Sequence, residues 1–463
     1  MVPTWRLRAA FARRLSDMYG TEVPAYTTLL DVAGEVNHEV MRENANAERL
    51  GGIDRITAER HGAIRVGTPL EMRQAAQIFA AFGMYPVGFY DLRDATFSAV
   101  PVISTAFRPI DALELARNPF RVFTSLLTTA DRRFFDADLQ DRLEKFLSRR
   151  ELFAPELLDL ARRAERDAGL PHEQAERFLA LAVVAFKLSA EPVDRTWYAE
   201  LERVSAVAAD IGGVSSTHIN HLTPRVLDID LLYQRMAARS IAMIDAVQGP
   251  PSWDGPDVLL RQTSFRALAE PRKFREPDGS VTTGSLRVRF GEVEARGLAL
   301  TPAGRALYDE LVTETDLRSA DHPHVTRQDL ARSIWQARFP GNERQLLTER
   351  LAYFTYQPAT RRPGDRRQPP ADVAGLFADG WITAHPIVYE DFLPRSAAGI
   401  FQSNLTGEGT WNATVSGAHY DARWLTETIE RPVHDPFELY AAQQDESLAL
   451  TLRALGLTAL RYR

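Results

Sequence analysis

Between residues 131 and 208 the chain reads almost continuously as helix, and on either side of that block it mixes strands with helices. No other feature of the sequence constrains the fold as strongly. Upstream, "GAIRVG", "YPVGFYDL", "VPVISTAFRPI" and "FRVFTSLL" are strand-like runs, set among helical patterns over 5–18, 26–45 and 69–82. Downstream, "HINHLTPRVLDID", "VLLRQTSFRAL", "GSLRVRFGEVEARGLALT" and "WITAHPIVYEDFL" bring strands back, with helices near 302–315, 327–337, 343–351 and 436–457. Strands scattered on both sides of a helical block predict an α+β fold. The expected organisation is the N-terminal part of the core over 1–130, a helical insertion over 131–208, and the remainder of the core over 209–463.

Composition narrows the chemistry. The 463 residues contain no cysteine, which excludes disulfides, thiolate zinc sites and cysteine nucleophiles. Any metal must be held by His, Asp or Glu. A net charge of -7 argues against general nucleic-acid binding. The basic cluster "RRPGDRRQPP", 361–370, is a loop by its Pro and Gly and reads as a solvated linker. The N-terminus has an amphipathic helical pattern without the apolar core of a signal peptide, and no run approaches the roughly 18 apolar residues of a membrane span. A cytoplasmic protein with no membrane or nucleic-acid partner is expected. No G-x-G-x-x-G, P-loop or G-x-S-x-G pattern is present.

Three stretches concentrate chemistry-bearing residues. In "RHGAIRVG", 60–67, strand alternation places His61, Ala63 and Arg65 on one face and Gly62, Ile64 and Val66 on the other. An imidazole and a guanidinium separated by roughly 13 Å of strand suit a small anion held between a metal and an Arg fork. The same run also reads as a half-exposed strand with both side chains in water. In "HINHLTPR", Pro224 and the preceding "IGGVSST" disfavour a helix, so His218 and His221 face opposite ways. His221 is the favoured ligand and His218 its support, or both are structural. In "SLRVRFGEVEARG", 285–297, one strand puts Glu292 and Glu294 on the face of Leu286, Val288 and Phe290, with Arg287 and Arg289 on the other. A bare buried carboxylate costs several kcal/mol unless paired or metal-bound. Gly291 is a candidate bulge that would change the phase, and emergence into solvent is the plain alternative.

Two imidazoles and one carboxylate form the facial set used for non-haem Fe(II), although other metals accept it too. Weaker candidates are "DHPH", 321–324, read as a surface turn; Glu390 and Asp391 in "YEDF", an acid pair with no visible partner; and "SAAGIFQSN", 396–404, a tight loop able to bring N–H and hydroxyl groups to an anion.

Six ordered segments carry a resemblance that runs over nearly the whole chain. They are "ERHGAIRVGT", "FRPIDALELARNPFRVFTSLL", "HINHLTPRVLDID", "LLRQTSF", "FGEVEARGLALTPAGR" and "YEDFLPRSAAGIFQSNL". Together they closely resemble the 2-oxoadipate dioxygenase/decarboxylase family, which is similar to 4-hydroxyphenylpyruvate dioxygenase with its vicinal-oxygen-chelate-like core. The resemblance implies Fe(II) held by His61, His221 and Glu292, with Glu292 rather than Glu294 aligned to the metal glutamate of the hydroxyphenylpyruvate enzymes. It implies that Arg65 binds a substrate carboxylate and that the loop at Arg395 and Ser396 helps close the pocket. The family more usually has a small apolar residue where this chain has Arg395. A backbone contact there leaves substrate choice unchanged, whereas a side chain in the pocket alters it. The implied reaction, a step of lysine breakdown, joins 2-oxoadipate and O2 and gives 2-hydroxyglutarate and CO2. The same fold acting on another 2-oxo acid, another divalent metal used for isomerisation or hydrolysis, and a non-catalytic small-acid-binding module are the alternatives. The sequence leaves the oligomeric state open.

Overall fold

The computed structural model describes residues 1–44, 52–94, 99–287, 289–321, 324–360, 368–394 and 417–457. The chain opens with a short strand, β1 (Val2–Pro3), and two helices, Thr4–Glu22 and Pro24–Glu43. The strands β2 (Arg60–Val66), β3 (Tyr85–Asp91), β4 (Val102–Arg108) and β5 (Arg121–Leu127) follow. Between β2 and β3 lies the helix Pro69–Ala81, started by a capping box in which Thr68 and Glu71 satisfy each other's backbone N–H.

Next comes a run of helices: Ala137–Leu147, Pro155–Arg166, His172–Ala185, Arg195–Val204 and Ala206–Gly212. Two short strands interrupt it. β6 (Gly169–Leu170) pairs back to β1, and β7 (Val193–Asp194) joins a later hairpin. The helices bury amphipathic stripes such as Leu139, Leu143 and Leu147. Strands return with β8 (His221–Pro224), β9 (Leu260–Phe265), β10 (Glu270–Arg275), β11 (Val281–Leu286) and β12 (Gly291–Arg296). A last antiparallel pair, β13 (Phe354–Pro358) and β14 (Ile382–Pro386), is followed by the helix Pro436–Ala454.

The α+β expectation holds. The main sheet is mixed, in the order β3-β4-β5-β2-β8, with β2 parallel to β5 and antiparallel to β8. Both faces are covered. Ile64, Val66, Val122 and Leu126 share a core with Leu7 and Phe11 of the first helix and Phe79 of the helix Pro69–Ala81. Ala63, Phe123 and Leu127 pack toward Leu143, Leu201 and Ile211 on the other side. The alternation of β2 therefore sends its aliphatic residues into one core and His61, Ala63 and Arg65 toward the opposite face.

One expectation needs correction. Residues 285–297 are not one strand: β11 ends at Leu286 and β12 begins at Gly291. Arg289 is not on a solvated face but buried, donating to Glu270 at 2.7 and 2.9 Å. Gly291 is no bulge. It pairs with Phe265 across the β9–β12 ladder, and a Cβ there would sit 2.0 Å from the Phe265 ring. Glu292 and Glu294 are buried, so the strand does not emerge into solvent.

At the N-terminal ends of β2 and β5 lies a buried ionic network. Glu59 accepts from Arg121 at 2.8 Å and from Arg225 at 2.9 Å. Arg121 also pairs with Glu390, which accepts from Arg55 at 2.7 Å. Arg108 forms a two-point pair with Asp391 at 2.7 and 3.0 Å. Burial alone would raise the Glu59 pKa, but Arg225 and Arg121 hold it well below the usual carboxylate range. Glu59→Gln would leave two buried guanidinium groups short of their counter-charge, so a loss of about 3–5 kcal/mol is expected, read as a lowered urea midpoint.

Candidate metal centre

β2 and β8 set the two imidazoles by register. Ala63 pairs with His221 and His61 with Thr223, so His61 and His221 lie diagonally on one face of the sheet. Their ring centroids are 5.3 Å apart with planes at 85°. β12 brings the carboxylate. It runs beside the end of β8, where Val226 N–H donates to the Glu294 carbonyl at 2.8 Å. Tyr19 ties the approaches to these strands together, since its hydroxyl bonds the carbonyls of Asn220 at 3.0 Å and Phe290 at 2.8 Å.

His61, His221 and Glu292 converge, each offering a ligand atom, and these atoms lie within 4.8 Å of one another. All three side chains are buried. Glu292 Oε1 is 3.1 Å from His221 Nδ1, and Glu292 Oε2 is 3.4 Å from His61 Nε2. Neither nitrogen of His221 makes a hydrogen bond of normal geometry. Burial pushes the His221 pKa down to about 4, so its ring is neutral near neutral pH and keeps a lone pair. Burial also works against charge on His61, but Glu294 and Glu292 outweigh it and raise the pKa. A buried imidazole with unsatisfied nitrogens, facing a carboxylate, fits a divalent cation taking the place of a shared proton.

Glu294 has a different position from Glu292. Its Oε2 lies 2.8 Å from His61 Nδ1, and its two oxygens accept from Arg296 at 2.7 and 2.9 Å. Against the cost of burial, Arg296 and His61 hold its pKa down to about 2. The carboxylate stands beside His61 Nδ1 at ion-pair distance but without hydrogen-bond geometry; a proton kept on that nitrogen would leave Nε2 for a metal. The two acids share a strand face and take opposite sides of one imidazole. Glu292 is further steadied by Gln262 Nε2 at 3.3 Å and approached by Thr223 Oγ1 at 3.5 Å.

Arg65 is buried on the same face of β2 and pairs with Asp210 of the helix Ala206–Gly212. His218 is buried beside that pair, 3.5 Å from Asp210 and 3.1 Å from Asn220 Nδ2, away from the triad. Glu390 and Asp391 find their partners in the ionic network. They anchor Phe392, whose ring meets His61 edge-to-face at 4.9 Å. Sequence reasoning missed Asp210, Gln262 and Phe392. Alternation could have signalled Gln262, but nothing local to Asp210 marks it out. His324 is exposed. Arg395, Ser396, the loop 396–404 and His322 lie outside the described residues.

A buried two-histidine, one-carboxylate set of this kind could hold a divalent metal, and a guanidinium lies on the same strand face. The comparisons with known proteins agree and are more specific. The family model for "2-oxoadipate dioxygenase/decarboxylase" matches residues 11–404. A protein of that name from Mycobacterium tuberculosis is 55% identical over 443 residues, covering 96% of this chain and 97% of its own. One from Pseudomonas putida is 40% identical over 464 residues, covering 98% of each. The crystal structure of the hydroxyglutarate synthase in complex with 2-oxoadipate from Pseudomonas putida superposes with a TM-score of 0.83 at 38% identity, covering 99% of both chains. The chain belongs to the 2-oxoadipate dioxygenase/decarboxylase family, and its centre implies a metal cofactor. Among the described residues, no helix is long and apolar enough to cross a membrane.

The two glutamates should separate on mutation. Glu292→Ala removes a donor and is expected to abolish stoichiometric metal binding. Glu294→Gln keeps all three donors and is expected to lower metal affinity by about 10–100-fold, measured by chelator competition. Acid should also weaken the metal-free fold. His218 and His221 are both pushed down to about 4 from 6.5, so the unfolded chain takes up their protons first as pH falls. Stability is therefore lost between about pH 6.5 and about pH 4. His61, with its raised pKa, acts in the opposite sense, but the two depressed histidines outnumber it. The urea midpoint of metal-free protein is expected to be lower at about pH 5 than at about pH 7.

Proposed function

We propose that this protein is an Fe(II)-dependent 2-oxoadipate dioxygenase/decarboxylase that converts 2-oxoadipate and O2 to 2-hydroxyglutarate and CO2. The observation that carries the reading is the placement of His61, His221 and Glu292 around one point, with Arg65 two residues beyond Ala63 on the same strand face. The relative crystallised with 2-oxoadipate supports the choice of acid. The bound iron would supply O2 activation and oxidative decarboxylation of the 2-oxo acid, with hydroxylation of the carbon beside the new carboxylate.

The chain's own residues supply the geometry. His61, His221 and Glu292 would hold the cation at which the 2-oxo acid and O2 react. Arg65 pairs with a carboxylate of the substrate through its planar fork, which favours a dicarboxylic acid over a simple 2-oxo acid. The Phe392 ring closes one side of the centre against His61 and keeps water from that side. Arg395 and Ser396 follow Pro394 directly, and their proposed role is to complete the substrate pocket.

Protein loaded anaerobically with Fe(II) and then given 2-oxoadipate in air should yield 2-hydroxyglutarate by mass, with one O2 consumed and one CO2 released per turnover. His61→Ala and His221→Ala should lose both metal and turnover. Arg65→Ala should keep iron yet lose rate with dicarboxylates. O2 uptake across a panel of 2-oxo acids checks the substrate. Full turnover without iron, or a faster reaction with a different acid, would sink the corresponding part of the proposal.

A further inference from the structure

We infer that Asp210 is a positioning residue that aims the Arg65 guanidinium across the metal centre and so sets the preference for a dicarboxylic acid. The inference rests on the reading of Arg65 as the carboxylate-binding group.

The argument starts from the length of Arg65. An arginine side chain has many rotamers, and holding it in one costs conformational entropy unless fixed contacts define the geometry. Strand alternation puts Arg65 on the correct face, but alternation does not aim its end. Contacts from other elements hold its backbone and its end. The Thr217 hydroxyl donates to the Arg65 carbonyl at 2.7 Å and fixes the backbone. The Asp210 carboxylate takes Nη1 and fixes the guanidinium.

Asp210 is itself held. Its side chain is 3% exposed, and the oxygen that meets Arg65 also accepts from Asn220 Nδ2 at 3.0 Å. Its other oxygen lies 3.5 Å from His218 Nε2. His218 is pushed down to about 4 by burial and is therefore neutral near neutral pH. Despite burial, the Asp210 carboxyl stays below its usual range, held by His218 where that ring is protonated in acid and by Arg65 and the Asn220 amide throughout. The charges that act most on His218 are the acid Asp210 and the cations Arg289, Arg65 and Arg272. A carboxylate placed there does one of two things: it aims Arg65, or it only offsets positive charge.

These two roles predict opposite signs. If Asp210 only offsets charge, removing it strengthens the pull on every anion, and most on the doubly charged one. If Asp210 aims Arg65, removing it weakens the dicarboxylate relative to the monocarboxylate. The test is equilibrium binding without O2 to Fe(II)-loaded protein, comparing 2-oxoadipate with 2-oxohexanoate, which lacks the distal carboxylate. For Asp210→Asn, of nearly unchanged shape, the dicarboxylate preference is expected to fall by about tenfold, or about 1.4 kcal/mol, with iron content unchanged. Asp210→Ala should fall at least as far. A preference that is unchanged or increased in either folded, iron-loaded variant overturns the inference. A preference that survives Arg65→Ala overturns the reading of Arg65, and this inference with it.

Discussion

The contact on which the site depends most is the one between Glu294 and His61. It places a carboxylate beside Nδ1 of that imidazole, and it joins the metal centre to the ionic network at the N-terminal ends of β2 and β5. Glu294 is gripped by Arg296, which also donates to the carbonyls of Tyr389 at 2.9 Å and Asp391 at 3.0 Å. Those two residues bracket Glu390, which pairs with Arg121 and Arg55. A shift in any of these pairs is therefore felt at His61. Buried ion pairs give little net stability against apolar substitutes, but they are exacting about geometry, because a buried charge that loses its partner is strongly destabilising. In this protein that exactness falls on His61, one of the three residues that could hold a metal.

The same network explains how the "YEDF" segment contributes. Glu390 and Asp391 point into the arginines, Tyr440 donates to Asp391, and Phe392 is left with its ring against both His61 and Phe123. The Arg296 guanidinium lies over that ring at 5.4 Å. One short segment thus supplies counter-charge to the ionic network and an apolar wall beside the centre. The wall lowers the local dielectric, which makes the pairing of His61 with its two carboxylates stronger than it would be in water.

Much of this was legible in the sequence where the signal was local. The period of two in "RHGAIRVG" separated His61 and Arg65 from Ile64 and Val66, and the two sets do enter different environments. The two acids in "GEVE" on an apolar strand demanded partners, and both have them. What was not legible depended on register between distant strands. Nothing in "SLRVRF" says that the chain breaks before Gly291, and nothing in "FGEVE" says that Gly291 leaves room for the Phe265 ring supplied by β9. Asp210 is separated from Arg65 by 145 residues, and in sequence it is one acid at the end of a helical run. The arginine partners of Glu390 and Asp391, Arg55, Arg108 and Arg121, lie 269 residues or more upstream, so the pair looked isolated.

The placement of the site on β2 follows from what a strand can do that a loop cannot. β2 is hydrogen-bonded on both edges, to β5 and β8, and its reverse face is locked by Ile64 and Val66. Gly62 lies between His61 and Ala63 because the reverse face is filled there too; a Cβ would come 2.7 Å from the Ile219 side chain. The spacing between His61 and Arg65 is thus fixed by backbone geometry rather than by loop conformation, and a site on rigid elements holds its distances better than one on loops. What the strand leaves undetermined is the far end of the arginine. That the chain meets this with a buried acid from a helix on another segment, rather than with solvent, is consistent with a centre whose selectivity is set by direction as much as by charge.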